Sequence, residues 1–358
     1  MARMRLPWLY LSLAGLTAPA AAAEVCDLPP RYGLGQAAIA IVHTACNEHR
    51  LWKRPFIDVH GRVASLSVTE AESDQLADQG LVAWQRVASY WRDSGTLATI
   101  SSFDGAASCA ALDGSRYTAS DCRAFISDNA WSAAFISWVM TQAGVAGFLR
   151  SPRHMDYIRA AYRGNDGGPY RFTDPAVEKP APGDMLCMLR GRDRALGFAG
   201  LSAELASGGT KHWQSHCDIV VAANVGGDRT LYLIGGNVLN TVMMRKLELD
   251  RAGRLVLPSQ QDPNGEGEDA VSAGLECTPA HEDLCDFNRH DWVALLKLRD
   301  DAALVAPASL PVVAPEPATT PPSTKPMPPG FPRVVPPRPA TPQNQPSAGG
   351  TSVPTNDQ

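Results

Sequence analysis

The segment most informative about the architecture of this protein reads Asn129-Ala130-Trp131-Ser132-Ala133-Ala134-Phe135-Ile136-Ser137-Trp138. Its large apolar side chains recur every three or four residues, which predicts an amphipathic helix over residues 131–143. Asp128 or Asn129 is expected to cap the start of this helix, and Gly144 to follow its end in a left-handed conformation. Ser132 then lies in the first helical turn, where unpaired amide groups and the helix dipole favour negative charge.

Helices are predicted before this segment and strands after it. Apolar periodicity marks further helices at 37–51 and 81–91. Strand-like runs bounded by Gly- and Asp-containing turns follow at 185–189, 218–222 and 230–234. This order of helices and strands predicts an α+β fold in which N-terminal helices pack on an antiparallel sheet.

The composition is that of a globular protein whose main partner is not nucleic acid. Hydrophobic residues make up 44% of the 358-residue chain and charged residues 19%, and the formal net charge is −5. A protein that binds phosphate backbones needs the opposite charge balance. No apolar run beyond the N-terminus reaches the length of about 18 to 20 residues that a membrane-spanning helix requires. We therefore expect no nucleic-acid partner and no membrane span.

The N-terminus has the pattern of a secretory signal peptide at residues 1–23. Arg3 and Arg5 precede an apolar stretch, and small residues at 21–23 form a cleavage site. We therefore expect an exported protein, either periplasmic or secreted.

Export makes disulfides the favoured interpretation of the eight cysteines. Sequence proximity suggests four pairs: Cys26–Cys46, Cys109–Cys122, Cys187–Cys217 and Cys277–Cys285. A competing interpretation takes a C-terminal group as the ligands of a tetrahedral zinc: Cys277, His281, Cys285 and His290. The close Cys-x-x-Cys pair usual in such sites is missing. We expect no metal and no other cofactor.

Four regions are predicted along the chain: a signal peptide at 1–23, an N-terminal elaboration at 24–80, the main domain at 81–301 and a tail at 302–358. The tail holds more than half of the 29 prolines. It lacks the apolar surface that would offset its ordering entropy, so we expect it to be extended and disordered. Residues 190–215 within the main domain are rich in Gly and charge and are expected to form a lid or a disordered loop.

Three further motifs follow the central helix in a fixed order. Pro182-Gly183-Asp184 leads into a strand, His216 stands near the start of the next strand, and Gly236-Asn237 lies on the strand after it. Together with the Trp-Ser-Ala-Ala-Phe helix start, this order resembles the papain-like CHAP and NlpC group of bacterial cell-wall peptidases and amidases. It resembles still more closely an uncharacterised bacterial domain family whose motif reads Trp-Ser-Ala-Ala-Phe. The resemblance covers residues 81–298 and implies a papain-like domain.

The resemblance also implies a catalytic set. In the cysteine enzymes the helix-start residue is the nucleophile, the strand histidine is its base, and a polar residue on the following strand orients that base. These positions fall on Ser132, His216 and Asn237. Asp218, on the same strand face as His216, is a second choice for the orienting residue. His154 and His212 are alternatives to His216 as the functional histidine.

Two departures from the cysteine enzymes bear on this prediction. Ser132 stands where they have a thiol, and Gly235 stands where CHAP domains often place a glutamate. A cysteine beside a histidine can ionise because its ordinary pKa is about 8.5. A helix start contributes at most about 2 kcal/mol, which is too little to ionise an alcohol. Ser132 can therefore act only if a histidine removes its proton during the attack.

Two functions are compatible with these patterns. The first is an exported cell-envelope hydrolase that cleaves amide bonds, with peptidoglycan or another peptide as substrate and Ser132 as nucleophile. The alternative is a non-catalytic papain-like domain that binds cell-wall fragments or a protein partner. In that case Ser132 is an ordinary helix-start serine and Asn237 serves only a turn. The oligomeric state is left open.

Overall fold

The computed structural model describes residues 24–111, 114–164, 168–190, 195–208, 213–257, 278–282 and 285–305. The predicted signal peptide lies outside the described residues, as do nearly all of the predicted tail, His212 and Cys277.

The described residues contain seven α-helices and eight β-strands. The helices are α1 (Gln36–Leu51), α2 (Ala83–Asp93), α3 (Ala106–Ala111), α4 (Arg116–Asp128), α5 (Ser132–Gln142), α6 (His154–Arg163) and α7 (Gly197–Ala206). The strands are β1 (Phe56–Ile57), β2 (Val63–Ala64), β3 (Tyr170–Thr173), β4 (Met185–Arg190), β5 (Gln214–Ala223), β6 (Thr230–Val238), β7 (Thr241–Glu248) and β8 (Asp291–Leu298).

The eight strands form one sheet in the order β2-β1-β7-β6-β5-β4-β8-β3. Neighbouring strands are antiparallel except for β1 and β7, which are parallel. Helices α1, α5 and α6 all pack on β5, at the centre of the sheet. The predicted α+β class is confirmed, with one parallel strand pair in a sheet expected to be antiparallel.

Alternate side chains of the central strands enter two separate apolar clusters, as the two-residue period of a strand requires. Met185, Cys187 and Ile219 belong to the larger cluster, which also contains the aromatic side chains of α2 and α5. Leu186 and Val220, one residue further along, belong to a second cluster with Trp292 of β8. The sheet is therefore buried on both sides, which explains why β4 and β5 are apolar almost throughout.

The helix expected at 131–143 is present as α5, and the helices and strands expected around it are also present. Gly144 has the predicted left-handed conformation, with φ of +67°. The predicted cap of α5 is wrong. Asp128 is the last residue of α4, and Asn129 is the C-cap of that helix. The side chain of Asn129 donates to Phe125 O of α4, so it does not cap α5. The N-cap of α5 is Trp131, which makes no side-chain cap hydrogen bond.

The residues between 24 and 80 add helix and strand to the same architecture. Helix α1 packs on β5, β6 and β7, and β1 pairs with β7. The predicted lid or loop region contains α7, which packs on β8 and buries Leu201.

Three of the four predicted disulfides are present: Cys26–Cys46, Cys109–Cys122 and Cys187–Cys217. The fourth predicted pair includes Cys277, which lies outside the described residues. Three disulfides within one chain indicate an oxidising compartment. None of the helices in the described part of the chain has the length and apolar character needed to cross a bilayer.

Candidate active site

Ser132 lies at the first position of α5, and its hydroxyl contacts a histidine. The Oγ atom of Ser132 is 2.7 Å from Nε2 of His154, within hydrogen-bond distance. The side chains around this pair are tightly packed, and Ser132 is only 8% exposed. A nucleophile and a base at this separation are the two components of nucleophilic catalysis by serine.

His154 is itself the first residue of α6, and its other ring nitrogen is also bonded. Its Nδ1 atom contacts the hydroxyl of Tyr157, one helical turn further on. The segment before α6 is fixed to α5, because Ser137 Oγ is 3.1 Å from both N and O of Ser151. Burial lowers the pKa of His154 well below its usual range, and the neighbouring His216 lowers it further. The imidazole is therefore neutral at neutral pH, as a general base must be.

A second imidazole lies beside the first. The rings of His154 and His216 have their centroids 5.1 Å apart. His216 Nε2 is 2.7 Å from Asp218 Oδ1, and the other oxygen of Asp218 is 3.2 Å from Arg245 Nε. Burial lowers the pKa of His216, whereas His216 and Arg245 hold the pKa of Asp218 below its usual range despite burial. A carboxylate that stays ionised is thus buried next to two neutral histidines.

Two glycines of β6 allow these groups to approach closely. A Cβ atom on Gly235 would lie 1.8 Å from Asp218 Oδ1 and 3.1 Å from His216 Nε2. A Cβ atom on Gly236 would lie 2.5 Å from the side chain of Phe135 on α5. The Gly-Gly pair is therefore required by close packing on both sides of the strand.

Asn237 fixes the start of α5 and is not bonded to either histidine. With its amide oriented to satisfy both neighbours, its oxygen accepts from the backbone N–H of Trp131 at 3.0 Å. Its nitrogen then donates to Glu70 Oε2 at 3.2 Å. Glu70 also accepts from Trp131 Nε1 at 2.6 Å. Burial raises the pKa of Glu70.

The predicted site residues are thus divided between three hydrogen-bonded groups. Ser132 bonds to His154, which was predicted only as an alternative to His216. His216 bonds to Asp218, the second choice as orienting residue, and its Nδ1 atom has no hydrogen-bond partner in the described part of the chain. The expected contacts of His216 with Ser132 and with Asn237 are therefore not formed.

The contacts of His216 account for this difference. Cys217 and Ile219 belong to the same core cluster as the α5 side chains. His216 and Asp218 alternate with them along β5 and bond to each other, so the His216 ring lies beside that of His154 without bonding to Ser132. The histidine that reaches Ser132 comes instead from the start of α6.

Sequence reasoning missed Tyr157, Arg245 and Glu70 as parts of this site. Tyr157 follows His154 by three residues on a helix, a spacing that could have identified it. Arg245 and Glu70 are distant in sequence from their partners and carry no local pattern. Among the residues that the structure describes, no three His, Cys, Asp or Glu side chains are arranged as ligands for a metal ion.

The fold and the site together define an α+β protein with a buried serine–histidine pair where two helices begin. The chain belongs to a bacterial family, described as uncharacterized protein conserved in bacteria (DUF2272), whose model matches residues 78–298. No curated protein and no solved structure matches the chain.

Proposed function

We propose that this protein is an exported hydrolase with a papain-like domain that cleaves amide bonds in peptidoglycan through a Ser132 acyl intermediate. The observation that carries the proposal is the 2.7 Å separation between Ser132 Oγ and His154 Nε2. This pair lies at the start of a helix, where backbone donors are available for a developing oxyanion.

The chemistry assigns each nitrogen of His154 a role. With its Nδ1–H donating to the Tyr157 oxygen, Nε2 accepts the proton of Ser132 as Oγ attacks the amide carbon. The C–N bond breaks, the leaving amine takes that proton from His154, and the acyl group remains on Ser132. Water then attacks the acyl carbon, gives one proton to His154 and releases the acid, and that proton returns to Ser132.

Charge developing in this reaction has partners in the site. The amide N–H groups of Ala133 and Ala134 belong to the first turn of α5 and lack intrahelical acceptors, so they can donate to the oxyanion. The positive charge that forms on His154 is offset by the ionised Asp218, which acts on His154 to raise its pKa.

The assignment of peptidoglycan as substrate is supported by less direct observations. The three disulfides fit a protein that acts outside the cytoplasm. The order of the Trp-Ser-Ala-Ala-Phe, Pro-Gly-Asp, histidine and Gly-Asn motifs resembles that of cell-wall peptidases and amidases.

The test uses the full chain produced with its disulfides intact. A fluorophosphonate probe is expected to label the wild type at Ser132, and purified sacculi are expected to release soluble peptides. Ser132→Ala should lose both activities. Ser120→Ala, at an exposed serine of α4, is the matched control and should retain them. If the wild type shows no labelling and releases no peptides, the proposal is refuted.

The alternative function, a non-catalytic domain that binds cell-wall fragments or a protein partner, is favoured by one observation. Ser132 is almost covered, and both histidines beside it are buried. A substrate carbonyl reaches the hydroxyl only if the neighbouring side chains move. Binding of the wild type to sacculi without any labelling of Ser132 would support this alternative.

A further inference from the structure

A groove of about 630 Å³ opens beside the two segments that lead into α5 and α6. Asn129 and Ala130, which precede α5, line one part of it, and Ser151 and Arg153, which precede α6, line another. Phe103 contributes a half-exposed aromatic surface. The groove is therefore built from the segments immediately before Ser132 and His154.

The charge of this groove is opposite to that of the whole protein. Four arginines line it: Arg150, Arg153, Arg159 and Arg163. Among the described residues that line the groove, Asp156 is the sole acidic side chain, and it pairs with Arg153 at 3.1 Å. The chain as a whole carries a formal charge of −5. Such a concentration of positive charge in an acidic protein raises the local concentration of anionic ligands.

Two of the arginines are available to a ligand. Arg150 and Arg163 are exposed, and neither makes a side-chain hydrogen bond or an ion pair within the described residues. The guanidinium group presents a planar set of donors that matches a carboxylate in a bidentate manner. The start of α6 adds the positive end of a helix dipole to the same groove.

We propose that this groove is a subsite for a peptide that carries free carboxylates, and that it holds such a peptide next to Ser132. Cleavage of the bound peptide at Ser132 rests on the proposed function, whereas binding of the peptide in the groove does not. The apolar surfaces of Phe103 and Leu149 favour a peptide over a small inorganic anion, because they offer contact area that such an anion cannot use.

The closing experiment measures binding separately from catalysis. The full-length Ser132→Ala variant is titrated by calorimetry with a short peptide bearing two free carboxylates. A second titration uses the same peptide with both carboxylates converted to carboxamides. We expect the carboxylate peptide to bind at least about tenfold more tightly, and its affinity to fall as ionic strength rises.

Arginine variants locate the binding site. Arg150→Ala with Arg163→Ala should weaken binding of the carboxylate peptide by about tenfold or more. Arg251→Ala, an exposed arginine that does not line the groove, is the matched control and should bind like the parent. Thermal unfolding of each variant checks that the fold is retained.

The outcomes separate this inference from the proposed function. Equal affinity for the two peptides, an unchanged affinity in the double arginine variant, or equally tight binding of inorganic phosphate would overturn the subsite. Selective binding by a protein that fails to label at Ser132 would refute the hydrolase and leave the subsite in place. Hydrolysis by the wild type, together with equal affinity for the carboxylate and carboxamide peptides, would support the hydrolase and overturn the subsite.

Discussion

Ser132 Oγ lies 2.7 Å from Nε2 of His154, a residue that the chain supplies 22 positions later from the first turn of the next helix. Two helix starts therefore meet at this hydrogen bond. The dipole of α6 disfavours a positive charge on His154, as does its burial, so the imidazole is kept neutral. A neutral imidazole in contact with a serine hydroxyl is the arrangement that a general base requires.

The identity of the base can be tested by comparing the two histidines. His154→Gln keeps a hydrogen-bonding side chain but cannot take up the proton, so we expect the rate of fluorophosphonate labelling to fall by about 100- to 10,000-fold. His216→Gln should retain most of the labelling rate, because His216 does not bond to Ser132. The reverse ranking would show that His216 is the base, as the sequence alone suggested.

The role of Asp218 can be tested through the pH dependence of activity. A base must be unprotonated, so activity is expected to fall as the pH drops through the pKa of His154. Asp218 acts to raise that pKa. Asp218→Asn should therefore move the acidic limb of the pH profile to lower pH.

Asn237→Ala provides the comparison, because Asn237 bonds to Trp131 and Glu70 instead of a histidine. This variant should lower the free energy of unfolding by about 1 to 2 kcal/mol through lost hydrogen bonds and leave the acidic limb in place. If Asn237→Ala moves the acidic limb of the pH profile and Asp218→Asn does not, Asn237 is the residue that orients the base.

Gly235 is expected to be intolerant of any side chain. The added Cβ of Gly235→Ala would collide with Asp218 Oδ1 at 1.8 Å. We expect a loss of about 1 to 3 kcal/mol in the free energy of unfolding, measured by denaturant titration. Gly168→Ala is the matched control, since a Cβ there meets no atom within 4 Å. Equal stability of the two variants would contradict the packing described for β6.

Stability should fall in mildly acidic solution because of buried histidines. Burial lowers the pKa of His49 to about 4, and its Nε2 atom is 2.9 Å from Pro55 O. The unfolded chain, with a histidine pKa of about 6.5, takes up the proton first as the pH falls. His49 should therefore cost about 3 kcal/mol of unfolding free energy between pH 6.5 and pH 4.

The measurement is the denaturation midpoint as a function of pH. His49→Gln is expected to show a shallower decline over this window than the wild type. His60→Gln, at an exposed histidine, should follow the wild type. Parallel curves for His49→Gln and the wild type would contradict a neutral buried His49.

The Cys187–Cys217 disulfide links β4 to β5 across 30 residues of chain. Closing a loop of that length in the unfolded chain corresponds to about 3 to 4 kcal/mol of stability. Replacement of both cysteines by alanine should lower the thermal unfolding midpoint accordingly. A midpoint that does not change when both cysteines are replaced would show that the covalent link contributes little to stability.

Local patterns in the chain were sufficient to predict several elements of the fold. The apolar period around Trp131 predicted α5, the glycine at 144 predicted its end, and cysteine proximity predicted the three disulfides described here. These features depend on residues a few positions apart or on short loops, so their physical causes are visible in the chain. The position of Ser132 at a helix start followed from the same local reasoning.

Which histidine contacts Ser132 depends on long-range packing and could not be predicted from local patterns. The resemblance placed His216 and Asn237 there, whereas the hydroxyl bonds to His154 at the start of α6, a helix that packs on β3, β5 and β8. His216 bonds instead to Asp218, two residues further along β5, and its ring lies 5.1 Å from that of His154. Which helix covers which strand depends on the burial of side chains from the whole core, and no short stretch of sequence contains that information.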